Sequence, residues 1–126
     1  MGRMTNPLQE LTSIEDFDLA VAASATRPIL IYKHSATCGT SAMAFEEVTD
    51  LLQGPPLSVD VYLVRIQTSR AVSRAVETTL QVRHESPQML LVSNGQVLWH
   101  GSHYRVTAKS IQAALVQHLT VVSTGA

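Results

Sequence analysis

The Asn94-Gly95 pair is the feature that most constrains the fold of this chain. It separates two apolar runs, residues 89–92 and residues 96–99. Both turn residues of a two-residue hairpin need a positive φ, which Asn and Gly tolerate better than other residues. The pair therefore predicts an antiparallel β-hairpin late in the chain. It disfavours a flavodoxin-like fold, whose sheet is parallel.

Before the hairpin, strand-like and helix-like patterns alternate along the sequence. The strand patterns cover residues 8–12, 29–32 and 59–66. The helical patterns follow Ser13 and Thr107, and they also cover residues 39–52 and 69–81. A βαβ half is thus followed by a ββα half, which is the thioredoxin-like order of elements. The sequence therefore predicts an α/β protein with a thioredoxin-like fold, in which a central mixed sheet is flanked by helices.

The overall composition indicates one globular domain over residues 1–126. The chain is 45% hydrophobic and has a formal net charge of −1, so a nucleic-acid-binding surface is not expected. No secretory signal or membrane-spanning run is recognised, so we expect a cytoplasmic protein without a membrane partner. The small and polar ends, residues 1–6 and 121–126, are expected to fray.

Cys38 is the single cysteine of the chain, and it lies between an apolar strand pattern and an amphipathic helix pattern. A helix that begins there points unpaired N–H groups and the positive end of its dipole at the sulfur, which stabilises the thiolate. Lys33 and His34 lie just upstream and add positive charge if the strand geometry turns them towards the sulfur, whereas the alternative is that it points them elsewhere. Cys38 is therefore the predicted catalytic nucleophile. An inert, buried cysteine is the alternative, but polar and small residues surround this one.

The neighbours of Cys38 are Thr37, Gly39, Thr40 and Ser41, all polar or small. Ser41 occupies the position of the second thiol in a Cys-x-x-Cys motif. Its hydroxyl cannot form a disulfide, but it can hydrogen-bond a thiolate or satisfy the first helical turn. The expected chemistry is therefore monothiol. Cys38 forms a mixed disulfide, and a thiol from outside the chain resolves it.

The segment His84-Glu85-Ser86-Pro87 precedes the first strand of the hairpin. In a thioredoxin-like site, a loop at this place faces the nucleophile and offers backbone groups to the substrate. We therefore predict a cis Ser86-Pro87 bond close to Cys38, although a trans bond is the commoner form of X-Pro. His84 and Glu85 are expected to organise this loop.

Three stretches of the chain resemble the monothiol bacilliredoxins, a family of the bacillithiol system. They are Ile31-Tyr32-Lys33-His34-Ser35-Ala36-Thr37-Cys38, Val82-Arg83-His84-Glu85-Ser86-Pro87-Gln88 and Trp99-His100-Gly101-Ser102-His103. The resemblance implies a thioredoxin fold, Cys38 as the nucleophile and a substrate-docking loop at Ser86-Pro87. It also implies a role in removing bacillithiol from protein mixed disulfides. Members commonly carry Pro after the cysteine, where this chain has Gly39.

The predicted function is thiol–disulfide exchange, in which Cys38 removes a small thiol such as bacillithiol from S-thiolated client proteins. The small thiol is a co-substrate, and no tightly bound cofactor is expected. No metal is expected either, because His100 and His103 lack acidic or cysteine partners nearby.

Two alternatives remain open at this point. The tetrapeptide Cys38-Gly39-Thr40-Ser41 is similar to the Cys-Gly-Phe-Ser of monothiol glutaredoxins. Those proteins bind a [2Fe–2S] cluster, which Cys38 and an external thiol would hold across a dimer. The other alternative is a stress-associated binding module with an incidental thiol.

Overall fold

A computed structural model of the chain describes residues 5–124, with the side chains described up to Leu119. Strands and helices alternate until the hairpin, as the sequence predicts. The strands are β1 (Leu8–Glu10), β2 (Ile29–His34), β3 (Asp60–Arg65), β4 (Gln88–Ser93) and β5 (Gln96–Ser102). The helices are α1 (Ile14–Ala23), α2 (Gly39–Leu52), α3 (Arg70–Leu80) and α4 (Ala108–Thr124), with a 3-10 turn at His103–Arg105.

The strands form one mixed sheet in the order β1-β3-β2-β4-β5. Strand β3 is parallel to both β1 and β2, whereas β4 runs antiparallel to β2 and to β5. The hairpin between β4 and β5 turns at Asn94 and Gly95, whose φ angles are 52° and 74°. The predicted thioredoxin-like fold with a central mixed sheet is confirmed.

Two apolar clusters cover the two faces of the sheet, because successive side chains of a strand point to opposite faces. Leu30 and Tyr32 of β2 pack with α2 and α4 on one face. Ile29 and Ile31 pack with α1 and α3 on the other face. Strand β2 is therefore buried from both sides, which explains its continuous apolar run. By the same alternation, Lys33 lies on the face of Ile29 and Ile31, and His34 lies on the face of Leu30 and Tyr32.

Local signals in the sequence account for the helix boundaries. Ser13 caps α1, and its Oγ accepts the N–H of Asp16 at 3.0 Å. Helix α3 ends at Gln81, which adopts the left-handed conformation with φ 56°. No helix within residues 5–124 is long and apolar enough to cross a lipid bilayer.

Near the ends of the described chain, Asn6 and the end of α4 have defined places, and the fraying of residues 1–6 and 121–126 stays a prediction. Asn6 is buried, its Nδ2 donates to the carbonyls of Leu52 and Pro55, and its Oδ1 accepts the N–H of Leu57 at 2.8 Å. Helix α4 continues to Thr124. The expected fraying of residues 1–4 and 125–126 lies outside the described residues. The Asn6 side chain is held by backbone groups of the last residue of α2 and of the α2–β3 connection, which are remote in sequence.

Candidate thiol active site

Cys38 lies at the carboxyl end of β2 and is the N-cap residue of α2. Its backbone is extended, with φ −106° and ψ 125°, and its carbonyl accepts the N–H groups of Ser41 and Ala42 at 3.1 and 3.3 Å. The thiol itself is partly exposed and makes no disulfide. The predicted position of Cys38 at a helix N-terminus is therefore what the structure shows.

The first turn of α2 stabilises the Cys38 thiolate through hydrogen bonds. The largest contribution comes from the backbone N–H of Ser41, followed by the backbone N–H of Thr40 and by the side chains of these two residues. Together they hold the pKa of Cys38 below that of an ordinary thiol, although partial desolvation opposes them. The orientation of the helix start thus produces the lowered pKa, as expected for a sulfur at this place.

A network of polar side chains holds the turn that precedes Cys38. Ser41 is fully buried, and its Oγ accepts the N–H of Ser35 at 3.3 Å. Thr37 contacts the hydroxyl of Ser35 and the amide of Gln67, and these bonds fix the turn. Gln67 also accepts the N–H of Ala36 and donates to Ser35 Oγ at 2.8 Å. Ser41 therefore supports the thiolate, and its hydroxyl also closes the turn that precedes Cys38, in place of the expected contact within the first helical turn.

Gln67 is a site residue that the sequence analysis missed. It follows β3 and lies about thirty positions from the turn that it holds, so no local pattern connects the two segments. Only the parallel pairing of β2 with β3 brings them together. The one signal in the sequence is its place at the carboxyl end of a strand, where functional residues of α/β sheets gather.

Tyr32 and His34 form an aromatic group on the α2 face of β2. The Tyr32 hydroxyl lies 3.0 Å from His34 Nδ1 and donates to the Ser41 carbonyl at 3.3 Å. The His34 ring packs against Phe45, with 5.1 Å between centroids. Burial raises the pKa of Tyr32, and the nearby Cys38 charge adds to this effect. Burial, and then the charge of Arg65, lowers the pKa of His34, so its ring is neutral at pH 7.

The expected positive charge of Lys33 and His34 is not what lowers the pKa of Cys38. His34 is neutral, and the groups that stabilise the thiolate are the two residues of the first helical turn. Lys33 is fully buried, and its Nζ lies 2.7 Å from Nδ1 of His84. Alternation along β2 explains the difference, because Lys33 shares the face of Ile29 and Ile31, on the α3 side.

The loop before β4 contains a cis Ser86-Pro87 peptide bond. Gln88 pairs with Lys33 in the β2–β4 ladder, so Pro87 lies one step further, beside the end of β2. The Pro87 carbonyl accepts the N–H of His103 at 2.9 Å. Ser86 Oγ is buried and has no hydrogen-bond partner among residues 5–124. The loop therefore stands at the same edge of the sheet as the turn that carries Cys38.

Glu85 anchors the outer side of this loop. One carboxylate oxygen accepts the Ser102 hydroxyl at 3.1 Å and lies 2.7 Å from Nε2 of His103. The hydrogen bond from Ser102, followed by the one from His103, lowers the pKa of Glu85. His84, on the inner side, donates its backbone N–H to Glu77 at 2.8 Å. His84 and Glu85 thus hold the loop through contacts with β2, α3 and the end of β5.

Gly39 occupies the first position of α2, where a proline is tolerated. A Cβ at Gly39 meets no atom within 4 Å, and Cys38 already has the extended backbone that favours a following proline. We therefore expect Gly39→Pro to raise the free energy of unfolding by about 0.4–1 kcal/mol, through a less flexible unfolded chain. Urea denaturation tests this expectation. Reduced stability would show that the helix start is not shaped as described.

The protonation of Cys38 gives a second test of the site. Alkylation of the folded chain with iodoacetamide should reach half its maximal rate at a lower pH than alkylation of the urea-unfolded chain. The pKa of Cys38 is lower in the folded chain than in the unfolded chain. Ionisation of the thiol therefore stabilises the fold at pH values above the unfolded-state pKa, and this stabilisation is lost as the pH falls through the folded-state pKa. The stability of the native chain relative to Cys38→Ser should therefore rise with pH across this window. Equal titration of the two states would contradict the helix-start geometry.

Comparisons with solved structures agree with this architecture. A protein with a thioredoxin fold is 28% identical over 85% of this chain and 92% of its own, with a TM-score of 0.75. The thioredoxin of Malassezia sympodialis is 19% identical, covers 94% of both chains and has a TM-score of 0.73. Thioredoxin O2 of Arabidopsis thaliana is 19% identical over 92% of this chain and 97% of its own, with a TM-score of 0.72. These two thioredoxins show similarity of fold.

A comparison with protein families is more specific than the comparison of folds. Residues 9–111 match the family described as monothiol bacilliredoxin BrxC. The matched segment begins in β1, ends in α4 and includes both Cys38 and the Ser86-Pro87 loop. The chain therefore belongs to the monothiol bacilliredoxin family.

Proposed function

We propose that this protein removes bacillithiol, or a closely similar small thiol, from S-thiolated client proteins by exchange at Cys38. The observation that supports this most directly is the place of the single cysteine. It is partly exposed at a helix start that lowers its pKa, and a serine stands where a second thiol would resolve its disulfides. Family membership supports a thiol–disulfide redox role in general.

The exchange proceeds in two balanced steps. The Cys38 thiolate attacks the small-thiol sulfur of the client disulfide, the old S–S bond breaks, and the client leaves as a thiolate. The small thiol is then joined to Cys38 by a new S–S bond. A second small-thiol thiolate attacks the sulfur of the bound small thiol, which forms the small-thiol disulfide and releases Cys38. The client sulfur is thus reduced, one free small thiol is oxidised, and the two small thiols leave joined in one disulfide.

The residues around Cys38 have distinct parts in this scheme. The first-turn N–H groups of Thr40 and Ser41 keep the sulfur ionised before attack and stabilise it again when it leaves. The loop at Ser86-Pro87, at the same edge of the sheet as the Cys38 turn, docks the incoming disulfide. We place the reaction in the cytoplasm, where a pool of reduced small thiol supports the second step.

The test is removal of bacillithiol from a client protein that carries it on one cysteine. We expect catalytic amounts of the native chain to restore the free client thiol when reduced bacillithiol is present. The client mass, followed over time, reports the reaction. Restoration at the uncatalysed rate would exclude the proposed function. Absorbance from an iron–sulfur cluster in the anaerobically purified chain would instead support the carrier function.

A further inference from the structure

A cavity lies on the α3 face of the sheet, at the edge where β3 ends. It has a volume of about 180 Å³ and is lined by Ile66, Arg70, Ser73, Arg74, Glu77 and His84. We call it the arginine cavity. The Ile66 N–H donates to the His34 carbonyl at 3.0 Å, and the next residue, Gln67, holds the turn before Cys38. The cavity and the thiol therefore share the carboxyl edge of β2 and β3.

The walls of the arginine cavity carry an excess of positive charge. Arg70 and Arg74 are exposed and lie one turn apart on α3. Within residues 5–124, neither guanidinium takes part in an ion pair with a carboxylate. Glu77 is the one acidic lining residue, and its Oε2 already accepts the N–H of His84.

Lys33, which is buried behind the residues that line the arginine cavity, adds a further positive charge. Lys33 Nζ contacts two lining residues, at 2.7 Å from His84 Nδ1 and 3.5 Å from the Ser73 carbonyl. Burial lowers the pKa of Lys33 to about 8, with Glu77 opposing, so the amine is mostly protonated at pH 7. Because His84 Nδ1 accepts from Lys33, the neutral ring carries its proton on Nε2 and remains a donor.

We propose that the arginine cavity binds a carboxylate on the small thiol that is exchanged at Cys38. The inference rests on the proposed function and specifies its substrate class as a thiol with an anionic arm. Two guanidinium groups are matched to carboxylate oxygens, and the cavity is large enough for one such arm but not for a folded protein segment.

The test compares three small disulfides as partners of the Cys38 thiolate. They are the disulfides of mercaptosuccinate, which is anionic, of 2-mercaptoethanol, which is neutral, and of cysteamine, which is cationic. The double variant R70Q/R74Q should form the anionic adduct about tenfold more slowly than the native chain, measured as a second-order rate constant by intact mass. The rate with the neutral disulfide should stay within twofold, and the cationic disulfide should react no more slowly.

A matched control is Arg105→Gln, which removes an exposed positive charge outside the cavity. It should leave the anionic rate within twofold, since long-range attraction is screened by salt. Equal loss in Arg105→Gln and in the cavity variant would show that net charge, not the cavity, attracts the anion. An unchanged anionic rate in R70Q/R74Q would overturn the inference while the proposed function stands. If the native chain reacts with none of the three disulfides, the proposed function itself fails.

Discussion

Cys38→Ser should abolish transfer of the small thiol and leave the fold intact. The variant retains the hydrogen bonds that hold the turn, because they join Ser35, Thr37, Ser41 and Gln67 and do not involve the Cys38 side chain. A serine hydroxyl at this position can accept the first-turn N–H groups that stabilise the thiolate in the native chain, as serine does at many helix starts. We therefore expect the free energy of unfolding to be unchanged or higher by at most about 1 kcal/mol.

The activity of Cys38→Ser should fall to the uncatalysed rate, since an un-ionised hydroxyl does not attack a disulfide at neutral pH. The measurement is client reduction in the presence of free bacillithiol, with stability followed by urea denaturation. Native chain alkylated at Cys38 is the matched control and should be equally inactive. Residual catalysis in both samples would mean that another group carries the reaction.

Ser41→Cys should convert the monothiol site into one that resolves its own disulfide. The side chain at position 41 is fully buried, and its Oγ is among the groups that stabilise the Cys38 sulfur. A sulfur in the same place lies one helical turn from Cys38 and can attack it. The small thiol leaves as a free thiol, and an internal disulfide forms between residues 38 and 41. Intact mass should show the loss of two hydrogens in place of the adduct.

The Ser41→Cys substitution should also lower the stability of the reduced chain. Ser41 Oγ accepts the N–H of Ser35, and a thiol is a weaker acceptor, so the reduced variant should be less stable by about 1 kcal/mol. Met43→Cys, at an exposed position on the same helix, adds a thiol that points away from residue 41. It should keep the small-thiol adduct on Cys38. An adduct that persists in Ser41→Cys would contradict the placement of residue 41.

Much of the fold follows from local signals in the sequence. Asn94 and Gly95 specify the hairpin through positive φ angles, and Ser13 starts α1 through its hydroxyl. The position of Cys38 at the start of α2 follows in the same way from a strand pattern, a polar turn and a helix pattern. These features were predictable because each depends on residues close together in the chain.

The parts of the site that could not be predicted depend on contacts between distant segments. The sequence left open whether Lys33 faces the thiol, and the structure buries it against His84, fifty-one positions away. Gln67 reaches the Cys38 turn only because β3 pairs with β2. Asn6 is ordered by carbonyls near the end of α2. Strand order and the helices that cover each face are properties of the whole sheet, so no local pattern contains them.

The most direct test of the account is the fate of the small thiol in a single turnover. Equal amounts of the native chain and an S-bacillithiolated client are mixed without free thiol, and both intact masses are measured. The account predicts that the client loses the small thiol and that the chain gains it on Cys38. The adduct should persist until free thiol is added. A disulfide between the chain and the client, or a client that keeps its small thiol, would contradict the account.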